Sequence, residues 1–347
     1  MTEPRTFAMR SKMPCRLDRR HERPATAGLL FDALLTALAL TLVSTAGAAD
    51  QMRQADPSDD LPLLGDSNKI DNPNQIDRPG ELATAHEAPH TLSADELSKE
   101  LSNPNSPLAS LVFKQTYTAY KGDLPGAGDQ SSNLTLFQPV FPFPLTEDGT
   151  TNLFIRPAIP YLWEQPVFDT KANRFESVSG FGDMGFDVGV GRSYDSGWVM
   201  VGGVQGTLPT GADRLSADQY RLGPEFLVAK VGKKAYWAIF PSHQWDVSGG
   251  SADYSTSQLE VFGGFYLPNA WTVYTDSKWS YDWENDQAKV PLNLSVRKIT
   301  KLGDLPVQLN LGVDYFVESD DRFGEDWAVS LTFSPVVPNF IYNAIKD

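Results

Sequence analysis

From Leu108 onward the chain falls into runs of about 10 to 13 residues in which apolar and polar side chains alternate. That is the length a tilted strand needs to cross a bilayer. The runs lie near 109–120, 132–142, 151–163, 182–193, 197–209, 219–231, 235–247, 255–267, 271–282, 289–300, 305–316 and 326–334. Short connections at 144–150, 194–197, 232–234, 268–270 and 301–304 alternate with longer ones at 121–131, 164–181, 210–218, 248–254, 283–288 and 317–325. Outer-membrane barrels show this asymmetry, with short turns on the periplasmic side and long loops outside. No later segment has 18 uninterrupted apolar residues, so entry into a membrane would require a closed barrel, where strand pairing satisfies the backbone. The expected fold is therefore all-β, a transmembrane antiparallel barrel of about 12 strands with a flexible N-terminal periplasmic extension.

Period two assigns the faces. Val290, Leu292, Leu294 and Val296, then Val307, Leu309, Leu311 and Val313, then Trp327, Val329, Leu331 and Phe333 would meet lipid. The opposite parity sends Arg156, Asp183, Asp187, Arg221, Glu225, Gln244, Asp246, Glu260, Asp276, Lys278, Arg297 and Asp314 into the lumen. A soluble sandwich would alternate too, but has no use for indole rings at its strand ends. Here Trp198, Trp237 and Trp271 begin strands, while Trp163, Trp245, Trp279, Trp283 and Trp327 sit near outer ends, giving two interfacial belts. Against this stand Pro139, Pro142, Pro157 and Pro160 in the second and third strands, with Pro224 and Pro241 later. Each removes a ladder donor, which predicts bulged or shortened strands.

Residues 1–48 read as a secretory leader. Arg16 to Arg23 is basic, Ala27 to Val43 apolar, and Ala46-Gly47-Ala48 fits the cleavage rule. Residues 49–107 are rich in Asp, Pro and Asn and read as a flexible periplasmic extension. One short helix at 93–102 is expected within it, because Ser93 with Glu96 forms a capping box and Asn103-Pro104 ends it. It reads as a solvated tether, with a plug at the barrel mouth as the alternative. The barrel proper would occupy 108–334 and a tail 335–347. This organisation predicts the outer membrane of a Gram-negative bacterium.

Net charge is -15. The leader carries seven basic residues against four acidic ones, so the rest is more acidic still, which excludes nucleic acid as a partner. Cys15 lies in the leader, and the mature chain would have no thiol. His86 and His90 have helical metal-ligand spacing but flank Pro89, and Asp320, Asp321, Glu325 and Asp326 read as a solvated acidic loop. No metal or cofactor is expected. His243 neighbours Ser242, but adjacent strand residues point to opposite faces, so the pair cannot form a nucleophile and base. No catalytic residue is expected, and the reading is of a protein that is not an enzyme.

Several short motifs, taken in order, resemble a bacterial outer-membrane family known as the MetA pathway of phenol degradation. They are Asn103-Pro104, Leu108-Ala109-Ser110-Leu111, Gln138-Pro139-Val140-Phe141-Pro142-Phe143, Arg156-Pro157-Ala158-Ile159-Pro160, Gly180-Phe181-Gly182-Asp183-Met184, Leu208-Pro209-Thr210 and Leu222-Gly223-Pro224, ending on Trp327. The resemblance implies a transporter-like barrel for passive uptake of small hydrophobic or aromatic compounds, and makes the prolines a family feature. Its partners would be outer-membrane lipid, a small-molecule solute and the barrel-insertion machinery. That machinery usually reads a terminal aromatic residue, whereas here Phe333 precedes Pro335, Pro338 and the end of the tail. The alternative is a structural barrel that binds a partner through its outer loops or periplasmic tail, without transport.

Overall fold

In a computed structural model, residues 92–250 and 252–342 are described. The leader, Cys15, His86 and His90 lie outside them. A helix, α1 (Ala94–Glu100), precedes thirteen strands: β1 (Ala109–Lys121), β2 (Ser131–Pro144), β3 (Thr151–Asp169), β4 (Arg174–Phe181), β5 (Met184–Ser193), β6 (Trp198–Leu208), β7 (Gln219–Val231), β8 (Ala235–Gly249), β9 (Ser255–Leu267), β10 (Trp271–Asp282), β11 (Gln287–Leu302), β12 (Leu305–Glu318) and β13 (Gly324–Val337). All pairings are antiparallel between chain neighbours except β1 with β13 and β3 with β5, and the sheet closes on itself.

Thirteen strands make a wall of twelve. β3 pairs through its first half with β5 and through its second with β4, so β4 and β5 are one barrel strand broken at Gly182 and Asp183. The expected loop at 164–181 is thus a hairpin that continues the wall outward. Asp169 accepts from the amides of Lys171 and Ala172 at 2.8 and 3.1 Å, Asn173 turns the chain at φ 52, and Phe168 packs edge-on against Phe175. Local aromatic and Asx chemistry, absent from a simple reading of loop length, extends the ladder.

The prolines open the ladder without shortening strands. Between β2 and β3, pairing stops after Phe137↔Ile159, is missing opposite Pro139 and Pro157, and resumes in the same register at Phe141↔Ile155. Between β7 and β8 the gaps lie around Pro224 and Pro241. A third opening, beside Pro291, lies between Tyr274↔Ser295 and Ser280↔Lys289. There side chains replace the ladder. Thr275 Oγ1 donates to the Asn293 carbonyl (2.9 Å), the Asp276 amide to Asn293 Oδ1 (3.0 Å), and the Asn293 amide to Ser277 Oγ (3.1 Å).

The expected membrane face is exposed at Leu292, Leu294, Leu309, Leu311, Val313, Trp327, Leu331 and Phe333. Val307, by contrast, is fully buried. The tryptophans at the short-turn end form a belt: Trp198 and Trp237 meet edge to face with centroids 5.6 Å apart, and Lys230 and Lys298 lie over Trp198 and Trp271. Long amines beside indoles suit the headgroup zone.

α1 corrects the tether reading. It sits inside the short-turn mouth, where Leu92, Leu97 and Leu101 pack on Leu108, Ala270, Ile299 and Val336. The capping box forms as the sequence predicts. Only Leu97 and Leu101 share the predicted helix face, yet Leu97 is 1% exposed. Polar anchors complete the seat. Asp95 accepts from the Ala270 amide (2.6 Å), Ser98 bonds Thr272 (3.2 Å), and Asn105 Nδ2 donates to Ser193 Oγ and the Thr150 carbonyl, both at 3.0 Å. Gly191 stands where Asn105 presses on the wall, and any Cβ there would overlap that amide.

Candidate functional site: the barrel lumen

A cavity of about 210 Å³ lies directly above the inserted segment. Its floor is Leu101 to Pro104, its walls include Phe154, Tyr236, Phe240, Phe262 and Tyr274, and its polar groups are Arg156, Glu260, Asp276 and Arg297. Alternating strand geometry explains the company: β8, β9 and β10 each send an aromatic and a charged or polar side chain inward. The parity that places the charges in the lumen also places Phe154, Tyr236, Phe240, Phe262 and Tyr274 there, residues outside the expected lumen set.

The charges are organised as pairs. Arg156 Nε donates to Asp187 Oδ2 at 2.7 Å across the β3–β5 ladder. Glu225 is 3% exposed, has no hydrogen-bond partner among the described residues, and faces Asp187 and Arg156. Lys278 lies 3.8 Å from Glu260. Arg297 donates from Nη1 to Ser102 Oγ (3.0 Å) and stacks on Tyr274 at 4.6 Å, which ties the wall to the plug. Higher up, Arg221 stacks on Tyr254 at 3.8 Å, Gln244 accepts from Thr207 (3.2 Å), Asp246 accepts from the Tyr254 amide (2.7 Å), and Asp314 accepts from Asn293 (2.8 Å). Asp183 departs from the lumen set. It accepts from the amides of Gly211 (3.0 Å) and Ala217 (2.9 Å), clamping the 210–218 loop over the break between β4 and β5.

Arg156→Met should therefore destabilise the barrel, because Asp187 and Glu225 would remain in the wall without their cation. The pair is only partly buried, so leaving its carboxylates unpartnered should cost about 1–3 kcal/mol. Urea unfolding of detergent-refolded protein should show that loss, and a double variant with Asp187→Leu should recover much of it.

No family model and no curated protein matches this chain. Solved structures do. The COG4313 outer membrane channel from Pseudomonas putida F1 is similar over 66% of this chain and 94% of its own, at 15% identity and a TM-score of 0.51. The NanC porin covers 66% and 99%, at 9% identity and 0.41. Outer membrane phospholipase A from Escherichia coli covers 77% and 96%, at 12% identity and 0.36. The chain has the fold of outer-membrane β-barrels.

That company corrects one expectation. Channels and a phospholipase both appear among the similar barrels, so this architecture is no ground for excluding an enzyme. The local reason for excluding one also fails. His243 has no bond to Ser242, but its Nδ1 lies 2.8 Å from Ser257 Oγ on the neighbouring strand. Cross-strand neighbours share a face where sequence neighbours do not.

Proposed function

We propose that the barrel resides in the outer membrane of a Gram-negative bacterium, exported by its leader, and passes small, largely apolar or aromatic solutes. The cavity carries the reading: five aromatic rings surround a space sized for a small ring compound, with charges confined to a few fixed positions. The paired lumen residues Arg156, Asp187, Glu225, Glu260, Lys278 and Arg297 hold the wall open against its own charge and orient polar substituents of the solute. Asp276, an exposed residue of the cavity wall, extends that lining. The belts of tryptophan set the height of the barrel in the bilayer, and Phe333 serves the insertion machinery from an internal position.

Proteoliposomes test this. Phenol-sized aromatics should equilibrate faster than pentoses of similar volume, and Phe262→Arg should reverse the preference. A barrel that passes neither solute, even after the plug is unseated, would refute transport and favour a partner-binding barrel.

A further inference from the structure

Trp237, Trp245 and Val247 on β8 are exposed, and His243 shares their face, while Tyr236 and Phe240 point into the lumen. On β9, Ser257 shares the face of Phe265, which is 67% exposed. The register pairs His243 directly with Ser257 and Trp245 with Ser255. A histidine and two serines thus stand on the membrane side of the wall, where unassigned polar side chains are costly.

One of their hydrogen bonds has a fixed direction. Trp283 Nε1, which can only donate, gives its proton to Ser257 Oγ at 2.9 Å. Ser257 Oγ is 2.8 Å from His243 Nδ1, and it keeps both its own hydrogen and a second lone pair for that contact. In the tautomer that carries its proton on Nε2, Nδ1 accepts from Ser257 and Nε2 faces Ser255 Oγ at 3.4 Å. Trp245 packs against the imidazole with centroids 4.1 Å apart. That tautomer makes the hydroxyl a donor to a neutral imidazole whose far nitrogen faces a second hydroxyl, the arrangement that activates a nucleophile.

The surroundings say what could reach it. Trp245 and Trp283 belong to the outer belt, so Ser257 lies at the boundary between headgroups and hydrocarbon. Toward the bilayer centre, Ile239, Val261 and Trp279 pack over the buried Leu259, an apolar surface against which an acyl chain can lie. Ester bonds of membrane lipids sit at that same depth.

We propose that Ser257 and His243 form a lipid-ester hydrolase site on the membrane face of the barrel, independent of transport through the lumen. Ser257 Oγ bonds to the ester carbonyl carbon as its proton passes to His243 Nδ1. The indole N–H, released by the hydroxyl oxygen, donates to the developing oxyanion. The carbon–alkoxy bond breaks, the leaving oxygen takes the proton from Nδ1, and the lyso-lipid departs. Water then attacks the acyl-serine and gives one proton to Nδ1. Collapse returns that proton to Ser257 and releases a fatty acid.

The full-length protein, reconstituted in phosphatidylethanolamine–phosphatidylglycerol vesicles with and without lipid A, should be treated with a long-chain fluorophosphonate and mapped by mass spectrometry. Ser257 should be labelled. Labelling should vanish in Ser257→Ala, fall about a hundredfold in His243→Gln, and persist in Ser242→Ala. Fatty acid release from one of the two vesicle types should follow the same order and identify the lipid. Heat-shift gels on each variant confirm that it remains a barrel. Absence of labelling, labelling that survives His243→Gln, or labelling with no release from either vesicle would each overturn the assignment.

Discussion

Leu97→Asp should convert the barrel from a low-conductance to a high-conductance form. Leu97 is the centre of the plug seat, 1% exposed among Leu92, Leu108, Ile299 and Val336. Burying one leucine contributes roughly 1.5–3 kcal/mol, and a carboxylate cannot occupy the same apolar site without a partner. Loss of about 3 kcal/mol shifts a seated-to-released equilibrium by roughly a hundredfold. Planar-bilayer recordings should therefore show long openings that are rare in the parent protein. Leu97→Ala should produce an intermediate open fraction, and Leu97→Met almost none, since it keeps most of the buried volume. If all three variants conduct like the parent, the inserted segment is not the element that limits flow.

Much of the wall was legible because a barrel strand repeats every two residues and its ends carry indoles. Strands such as 219–231, 255–267 and 271–282 coincide with the observed β7, β9 and β10. What escaped depends on contacts distant in sequence. The outward hairpin from Gln165 to Phe181 relies on an Asx turn and an aromatic pair, whereas loop length suggested only irregular chain. α1 has few apolar residues, and its destination depends on Thr272, Arg297 and Ser193, which lie far along the chain. Ser257 and His243 are 14 residues apart and meet only through the β8–β9 register. Alternation forbids His243 a partner next to it along the strand, and its serine lies across the ladder instead.

The plug should also respond to pH through Glu100. This carboxyl is 5% exposed in the last turn of α1, and one of its oxygens lacks a hydrogen-bond partner. Burial pushes its pKa up from 4.5 to about 7, against the opposing hydrogen bonds of Ser106 and Asn103. A seated Glu100 therefore holds its proton where a released one has lost it. Seating is strongest below pH 4.5, weakens as pH rises through the interval up to about 7, and then levels off. The full change corresponds to about 3 kcal/mol, comparable to the Leu97 substitution. The Tyr266 phenol faces Glu100, and phenols and guanidinium groups do not titrate between about pH 5 and 8, which leaves the carboxyl as the responsive group in the seat. Open probability should rise between about pH 4.5 and 7 in the parent protein. Glu100→Gln should flatten that rise and hold the barrel in its low-conductance form, because a neutral amide fills the same space at every pH. A pH response that survives Glu100→Gln would assign the sensitivity to the lumen carboxylates Glu225 and Glu260 instead of the plug.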